Sequence, residues 1–444
     1  MSDRVRDSVQ EALPEVRTEL ERLIRVPSVS APGFDPAEVR RSAELTAEIL
    51  SAAGLGDVRL LDEGETFPAV LAKHPAPGGA PTVVLYAHHD VQPPGDEADW
   101  ESPPFEPVER DGRLFGRGSA DDKGGVAVHA AALRAFGGDP PVGVTVFVEG
   151  EEEIGSPNLA SFLERYRDEL AGDVIILADS TNWRVGQPGI TSSLRGLVDC
   201  EVEVRTLDHG VHSGFLGGVF PDALTVLCRL LATLHDERGR VAVPGLVSGD
   251  ADPLDLTVAE LRQQVGALPG VQEIGEGSLT ARLWARPHVS VLAIDAPRVP
   301  EASNTLIPSA RAKISLRLAP GDDPERAMDA LAGHLESNAP WGAEVGVHHG
   351  ALARPFSVKT EGPAFDAAEA AFQEAWGRPP VYIGQGGTIP FVADFADTYP
   401  QAAILLTGVC DPDSRMHGAN ESVALSELES ACLGEAFLLE RLAP

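Results

Sequence analysis

"YAHHDVQPPG", residues 86–95, follows the run Thr82-Val83-Val84-Leu85 and decides how the whole chain is read. A short apolar run closed by prolines and a glycine reads as a buried strand that stops abruptly. Buried strands usually run out into ordinary turns. This one ends in His88, His89 and Asp90, three side chains of metal-ligating type, so the reading depends on whether partners for them exist elsewhere.

Working outward, strand-like runs occur at 69–71, 82–87, 142–148 and 174–178, with a helix-like segment at 123–136 between the middle pair. Helical spacing of apolar residues marks 5–26 (Val9, Leu13, Val16, Leu20, Leu23) and 36–54. Strand, helix, strand in this rhythm predicts an α/β domain with a mostly parallel central sheet. The character changes near Gly189. "LVDCEVEVR" (197–205) and "RAKISLRLAPG" (311–321) alternate as half-exposed strands do, and helices over 222–235 and 323–337 accompany them, with a further strand at 343–350. These two strand-helix-strand units predict a small α+β domain with helices on one sheet face. The α/β pattern resumes with a helix at 364–376 and a strand at 402–406. The expected organisation is therefore one α/β domain in two parts, 1–190 and 355–444, interrupted by an inserted domain over 191–354.

Composition limits the function classes. At 444 residues the chain exceeds one compact core, and 43% hydrophobic with 23% charged residues is ordinary for a globular protein. Sixty-eight acidic against 35 basic residues give a net charge of −33, which repels nucleic acid and anionic membrane surfaces. No run approaches the ~18 apolar residues of a membrane span. The opening Met1-Ser2-Asp3-Arg4 does not begin a basic region followed by an apolar one, so no signal peptide and a cytoplasmic location are expected. Cys200, Cys228, Cys410 and Cys432 are widely spaced among apolar neighbours and are expected to pack as small hydrophobes. Any metal must then be held by His, Asp and Glu.

Three further stretches supply them. "VFVEGEEEIGS" (146–156) runs from a strand into Glu151-Glu152-Glu153, "VIILADS" (174–180) ends in Asp179, and "ILLTGVCDPDSRMHGANE" (404–421) leads into a loop with His417. Asp121 of "GRGSADDKGG" sits just before the 123–136 helix. In open α/β sheets sites form at the carboxyl ends of the strands, so these groups converge on one edge. Any one of them alone would be a turn residue or a solvated loop; the joint pattern suits zinc, manganese or cobalt, with two carboxylate-rich sites sharing a bridging oxygen donor.

From "LIRVPSVS" (23–30) to "HGANE" (417–421), these motifs in this order resemble the metallopeptidase family of carnosine dipeptidase, carboxypeptidase G, acetylornithine deacetylase and succinyl-diaminopimelate desuccinylase. The resemblance implies a dizinc exopeptidase-type catalytic domain and a ferredoxin-like lid that dimerises. It implies two zinc ions, manganese or cobalt being alternatives, with His88 and Asp179 at one, Glu153 and His417 at the other, and Asp121 bridging. Asp90 would stand behind His88 to fix its tautomer. Glu152, next to the ligand but not one itself, would be the general base, because a metal-bound carboxylate is too weakly basic. The glutamate triplet leaves the register open by one; its distance to "IGS" places the pair. The Asp121–Asp122 peptide is expected to be cis, His89 to be structural, His129 to pack or lie at the surface, and Lys123 to pair with acids near the site.

In the lid, "DHGVHSG" (208–214) offers His212, expected to reach the partner subunit's site and steady an oxyanion, while Asn304, Arg317 and the loop "GQGGTIP" (384–390), through Gly386, Gly387 and Thr388, resemble groups that grip the substrate. Gly384-Gln385 stands where dipeptidases of this family often carry an Arg-acid pair. "HHDVQP", "DDKGG" and "HSGFLGG" lean toward dipeptide cleavage; the alternative is an N-acyl-amino-acid deacylase with the same machinery.

Overall fold

The computed structural model describes residues 2–62, 67–387 and 390–444. Along the chain the main strands are β1 (Asp57–Leu61), β2 (Ala69–His74), β3 (Thr82–His88), β4 (Gly143–Glu149), β5 (Val174–Leu177), β6 (Gly189–Leu194), β7 (Gly196–Arg205), β8 (His288–Asp295), β9 (Ser309–Leu318), β10 (Glu344–Ala353) and β11 (Ala403–Leu406). The main helices are α1 (Ser2–Ile24), α2 (Pro36–Ala52), α3 (Lys123–Arg134), α4 (Ala223–Ala232), α5 (Pro324–Ser337), α6 (Pro363–Trp376) and α7 (Leu425–Leu442). The chain divides into two compact units, one of residues 1–192, 358–383 and 394–444, the other of 193–357 and 384–393.

The first unit is built on a twisted sheet in the order β1-β2-β4-β3-β5-β11-β6. β3 pairs in parallel with β4 and β5, and β5 in parallel with β11, whereas β1, β2 and β6 join antiparallel. All seven residues of β4 are buried, as are Val83 to His88, which accounts for the unbroken apolar runs in the sequence. α1, α3 and α7 pack together, with Val9, Val16, Leu20, Leu23 and Ile24 of α1 fully buried. α2 starts where Asp35 accepts a hydrogen bond from the Ala37 N–H at 2.9 Å and Pro36 presets the first turn. Because β3, β4, β5 and β11 run parallel, everything that follows them emerges at one edge of the sheet.

In the second unit the chain follows the pattern β7-α4-β8-β9-α5-β10, and the sheet order β8-β9-β7-β10 is antiparallel throughout. This is the ferredoxin-like arrangement. Val198, Cys200, Val202 and Val204 of β7 face Ile314, Leu316, Leu227, Leu230, Leu331 and Leu335 in one core. The other sheet face carries charge in pairs, Lys313 Nζ lying 2.5 Å from Asp199 and Arg311 2.7 Å from Asp295.

The structure differs from the sequence reading in three places. Residues 384–393 group with the second unit. Backbone contacts explain this: the Arg195 N–H donates to Gln385 O at 3.1 Å, and a Cβ on Gly386 would lie 2.7 Å from Arg195 Nη2. Cys228 is exposed, not buried, because it is one position round the helix from Leu227 and so points away from the core. Lys123 does not pair with acids: its Nζ donates to the Leu23 and Val26 carbonyls at 2.8 and 2.7 Å, and burial pushes its pKa down to about 7.

Leu331 is fully buried between α5 and the second unit's sheet. Leu331→Ala should therefore destabilise that unit by about 2–5 kcal/mol. A urea titration followed by far-UV circular dichroism would show an unchanged midpoint if the side chain were not part of a packed core.

Candidate active site

β3 delivers His88, whose ring is wholly buried. Its Nδ1 faces the Asp90 carbonyl at 3.1 Å and the Asp90 carboxylate at 3.4 Å; its Nε2 faces Asp121 Oδ1 at 3.1 Å. Burial alone would lower the pKa of this imidazole, but Asp121 and Asp90, with Glu152 and Asp179 nearby, hold it well above its ordinary value. The next residue alternates to the other face. His89 Nε2 meets the Pro68 carbonyl at 2.8 Å, and burial lowers its pKa to about 4, so it stays neutral.

Asp90 is buried, and burial opposes its charge, yet hydrogen bonds from His88 and from Ser30 Oγ (2.6 Å) leave its pKa lowered. Its oxygens also receive the backbone N–H groups of Glu152 at 3.3 Å and Glu153 at 3.1 Å. Asp121 stands between two imidazoles: its other oxygen lies 3.0 Å from His417 Nε2, and burial notwithstanding, the two histidines hold it strongly ionised. The Asp121–Asp122 peptide is cis. Asp122 accepts the His88 N–H at 3.2 Å, and its carboxylate lies where any Cβ on Gly125 would collide with it, which accounts for a glycine in "DDKGG".

The glutamate triplet separates into three environments. Glu151 points away, accepting from Phe67 N (2.7 Å) and Asn158 Nδ2 (2.8 Å). Glu153 is fixed by Gln92, whose N–H and Nε2 reach its two oxygens at 2.9 and 2.8 Å, and it faces His417 Nε2 at 3.3 Å. The Glu152 carboxylate accepts no hydrogen bond among the described residues and lies 3.9 Å from His88 Nε2. Burial, then the charge of Asp179, raises the Glu152 pKa well above the ordinary range; burial, then Asp121, does the same to Asp179. His417 is pushed up to about 10 by Asp121 and Glu153.

Two sets of these donors could hold an ion, His88 with Asp121 and Glu153, and His88 with Glu152 and Asp179, each set's atoms lying within 4.8 Å of one another. The donor chemistry fits divalent cations: oxygen and imidazole ligands, without thiolate, where burial and then neighbouring carboxylates raise the pKa values of Glu152, Glu153 and Asp179. The first unit thus brings together His88, Asp90, Asp121, Glu152, Glu153, Asp179 and His417.

His212, Asn304, Arg317, Gly386 and Gly387 belong to the second unit, and Thr388 lies outside the described residues. His212 is exposed, its Nδ1 accepting from Gly214 N at 3.0 Å and its ring 4.7 Å from that of Phe215. The Asn304 carbonyl accepts from Ser213 N at 2.9 Å. Arg317 sits across from Leu197 and His288, and burial lowers its pKa. His129, expected to pack or to lie at the surface, is buried and meets Glu435 at 2.8 Å and the Tyr86 carbonyl at 3.0 Å.

Sequence reasoning missed three residues around the site. Gln92, Arg117 and Glu421 each lie inside a quoted motif, but their partners are set by folding alone. The signal available was charge type in a motif already assigned to chemistry: Glu421 closes "HGANE" without a role.

Imidazoles and clustered carboxylates able to hold divalent ions, at the ends of parallel strands, define a metal-dependent hydrolase. The chain belongs to Peptidase family M20/M25/M40, whose family model matches residues 84–439. Among its relatives, the cysteinylglycine-S-conjugate dipeptidase of Corynebacterium striatum is 36% identical over 389 residues, covering 85% of this chain and 84% of its own. The Beta-Ala-His dipeptidase of Rattus norvegicus is 29% identical, covering 98% of this chain and 90% of its own. The structure of human carnosine dipeptidase 1 superposes with a TM-score of 0.80 at 26% identity over 99% of this chain and 98% of that one. That of the dipeptidase Dug1p from Saccharomyces cerevisiae shares the fold, with a TM-score of 0.82 at 22% identity over 100% and 98%. No helix among the described residues is long and apolar enough to cross a membrane.

Stripping divalent ions with a chelator should lower the melting temperature, and zinc at a hundredfold its Kd should restore about 2.7 kcal/mol. Asp179→Asn should raise the melting temperature of the stripped protein, by removing a like charge, while shrinking the shift that zinc produces. A thermal-shift series with and without chelator checks both; an Asp179→Asn protein with an undiminished zinc shift would remove Asp179 from the ion's neighbourhood.

Proposed function

We propose that this chain is a dinuclear zinc hydrolase that cleaves the amide bond of dipeptides. The observation that carries the reading is the arrangement of Asp121 between His88 and His417, with Glu153 on the His417 side and Asp179 grouped with His88. On this reading His88, Asp121 and Asp179 hold one ion, and Asp121, Glu153 and His417 the other, with manganese or cobalt as substitutes for zinc. Small peptides as substrate are supported by the dipeptidases among the relatives.

The chemistry such ions supply when bound is Lewis acidity toward a water and the scissile carbonyl. The chain's own residues do the rest. Asp90 holds the His88 imidazole in one orientation. Glu152, whose carboxylate makes no hydrogen bond among the described residues and whose pKa is raised by burial and by Asp179, takes the proton from the attacking water and passes it to the departing amine. Water adds to the carbonyl carbon, the C–N bond breaks, and a carboxylate and an amine leave. Asn304, Arg317 and the Gly386-Gly387-Thr388 loop would grip the substrate, Arg317 through paired charge-assisted hydrogen bonds to its free carboxylate.

The second unit is read as a lid that dimerises, with His212 steadying the oxyanion in the partner's site. An exposed apolar run next to His212 supports this: Phe215 is 84% and Val219 76% exposed, with Leu216 and Phe220 beside them. All four cysteines are free, in keeping with a cytoplasmic location.

Glu152→Gln should abolish turnover while leaving zinc content near normal, whereas Glu153→Gln should lower zinc occupancy as well as rate. Hydrolysis of a dipeptide panel set against acetylated and succinylated amino acids, together with metal analysis, tests both; exchanged phenotypes would move the register by one residue.

His212→Ala and Glu152→Gln homodimers should each be nearly inactive. Random mixing gives about half heterodimers, each with one intact site, hence roughly a quarter of wild-type activity. Subunits that exchange without recovery of activity would show that His212 does not act across the interface.

A further inference from the structure

Glu421 is fully buried, four residues after His417. Its Oε1 accepts the backbone N–H groups of Ala120 and Asp121, each at 3.1 Å, and its Oε2 accepts Gly118 N at 3.1 Å and Arg117 Nη1 at 2.5 Å. The Gly116 N–H closes the same junction on the Glu421 carbonyl at 2.9 Å. Arg117, 1% exposed, also reaches the Pro93 carbonyl at 3.3 Å, in the segment that follows His88 and Asp90.

Arg113 holds the two ends of the loop that carries His417, reaching Asp411 Oδ2 at 2.9 Å and Ser422 Oγ at 2.8 Å, but these contacts do not involve Asp121. Arg415, His417 and Asn420 all take left-handed backbone conformations, with φ of 54°, 62° and 62°, which costs energy for residues with a Cβ. Asn420 is tied down through Glu101 N at 2.8 Å and the Asp99 carbonyl at 3.0 Å, but neither of those residues belongs to the site. Glu421 is the residue whose side chain binds the backbone of Asp121 itself. We propose that Glu421 is a positioning residue: one carboxylate fixes the backbone of Asp121 to the loop bearing His417, and so sets the spacing of the donors between which the second metal is held.

The proposal rests on the dinuclear reading of the site, and its chemistry is specific to a carboxylate. Four donors converge on two oxygens. A glutamine at 421 must turn its NH2 group toward either the Ala120 and Asp121 N–H groups or those of Gly118 and Arg117, so two donors face a donor whichever way the amide lies. A shorter aspartate cannot reach both sides. A role limited to burying the Arg117 charge would behave differently: replacing both members of a buried ion pair with neutral groups is often harmless to stability.

The test measures zinc affinity by equilibrium dialysis against a competing chelator, and the visible absorption of the cobalt-loaded protein. Two variants are compared with the wild-type chain, Glu421→Gln and the double variant Glu421→Gln/Arg117→Met. Zinc affinity of Glu421→Gln should fall about ten- to a hundredfold, with altered cobalt bands and a loss in kcat at little change in KM. The double variant should regain the melting temperature of the metal-free protein yet keep the weak zinc binding, and it carries the test if the single variant does not fold. Wild-type zinc affinity and cobalt spectrum in the double variant would overturn the proposal while leaving the dinuclear reading intact. A wild-type chain that binds no divalent ion would overturn both.

Discussion

Carboxylates crowded beside two imidazoles at the end of a buried sheet are the constraint on which the rest of this structure depends. Asp121, Glu152, Glu153 and Asp179 raise one another's pKa values or are held ionised only by His88 and His417. Unpaired charge of one sign in a low-dielectric setting is costly, so the surroundings must supply either protons or cations. Divalent ions answer that need without loss of the negative charge, and the family to which the chain belongs is one of peptidases. The buried surroundings are otherwise filled with donors: Ser30 and two backbone N–H groups on Asp90, Gln92 on Glu153, four donors on Glu421.

Much of this was legible in the sequence because the fold places chemistry at strand ends. An apolar run that stops at His88, another that stops before three glutamates and a third that stops at Asp179 are linear features, and parallel pairing converts them into one edge. The inserted α+β unit was legible for a related reason. Alternation in β7 and β9 reports one covered and one bare face directly.

What could not be read depends on contacts between segments distant in sequence. Glu435 lies 306 residues from the His129 it meets, and nothing in either local pattern pairs them. Lys123 looked like an ion-pair partner because lysine is rarely buried alone; two helix-end carbonyls of the α1 region satisfy it instead. Gln385 reads as part of the α/β domain, yet its carbonyl accepts the backbone N–H of Arg195, at the start of the second unit. In the last two cases a polar group is satisfied by backbone, and backbone acceptors carry no sequence signature.

On the proposed reading, in which Glu153 is a ligand and Glu152 the base, Asp90 supplies the reason that two roles fall on adjacent positions of the triplet. Its carboxylate lies beside His88 and, at the same time, accepts the N–H groups of both Glu152 and Glu153. One buried group thus fixes the orientation of the imidazole and the origin of the short 3-10 turn from which both glutamates project. With the turn anchored through its backbone, the two side chains are free to differ. The Glu153 carboxylate is then immobilised by Gln92, while the Glu152 carboxylate is left without a hydrogen bond among the described residues. A carboxylate that must shuttle a proton needs its oxygens unclaimed, and a carboxylate that must hold an ion needs them aimed. The backbone anchor meets both requirements at adjacent positions, which a side-chain anchor on either glutamate could not do.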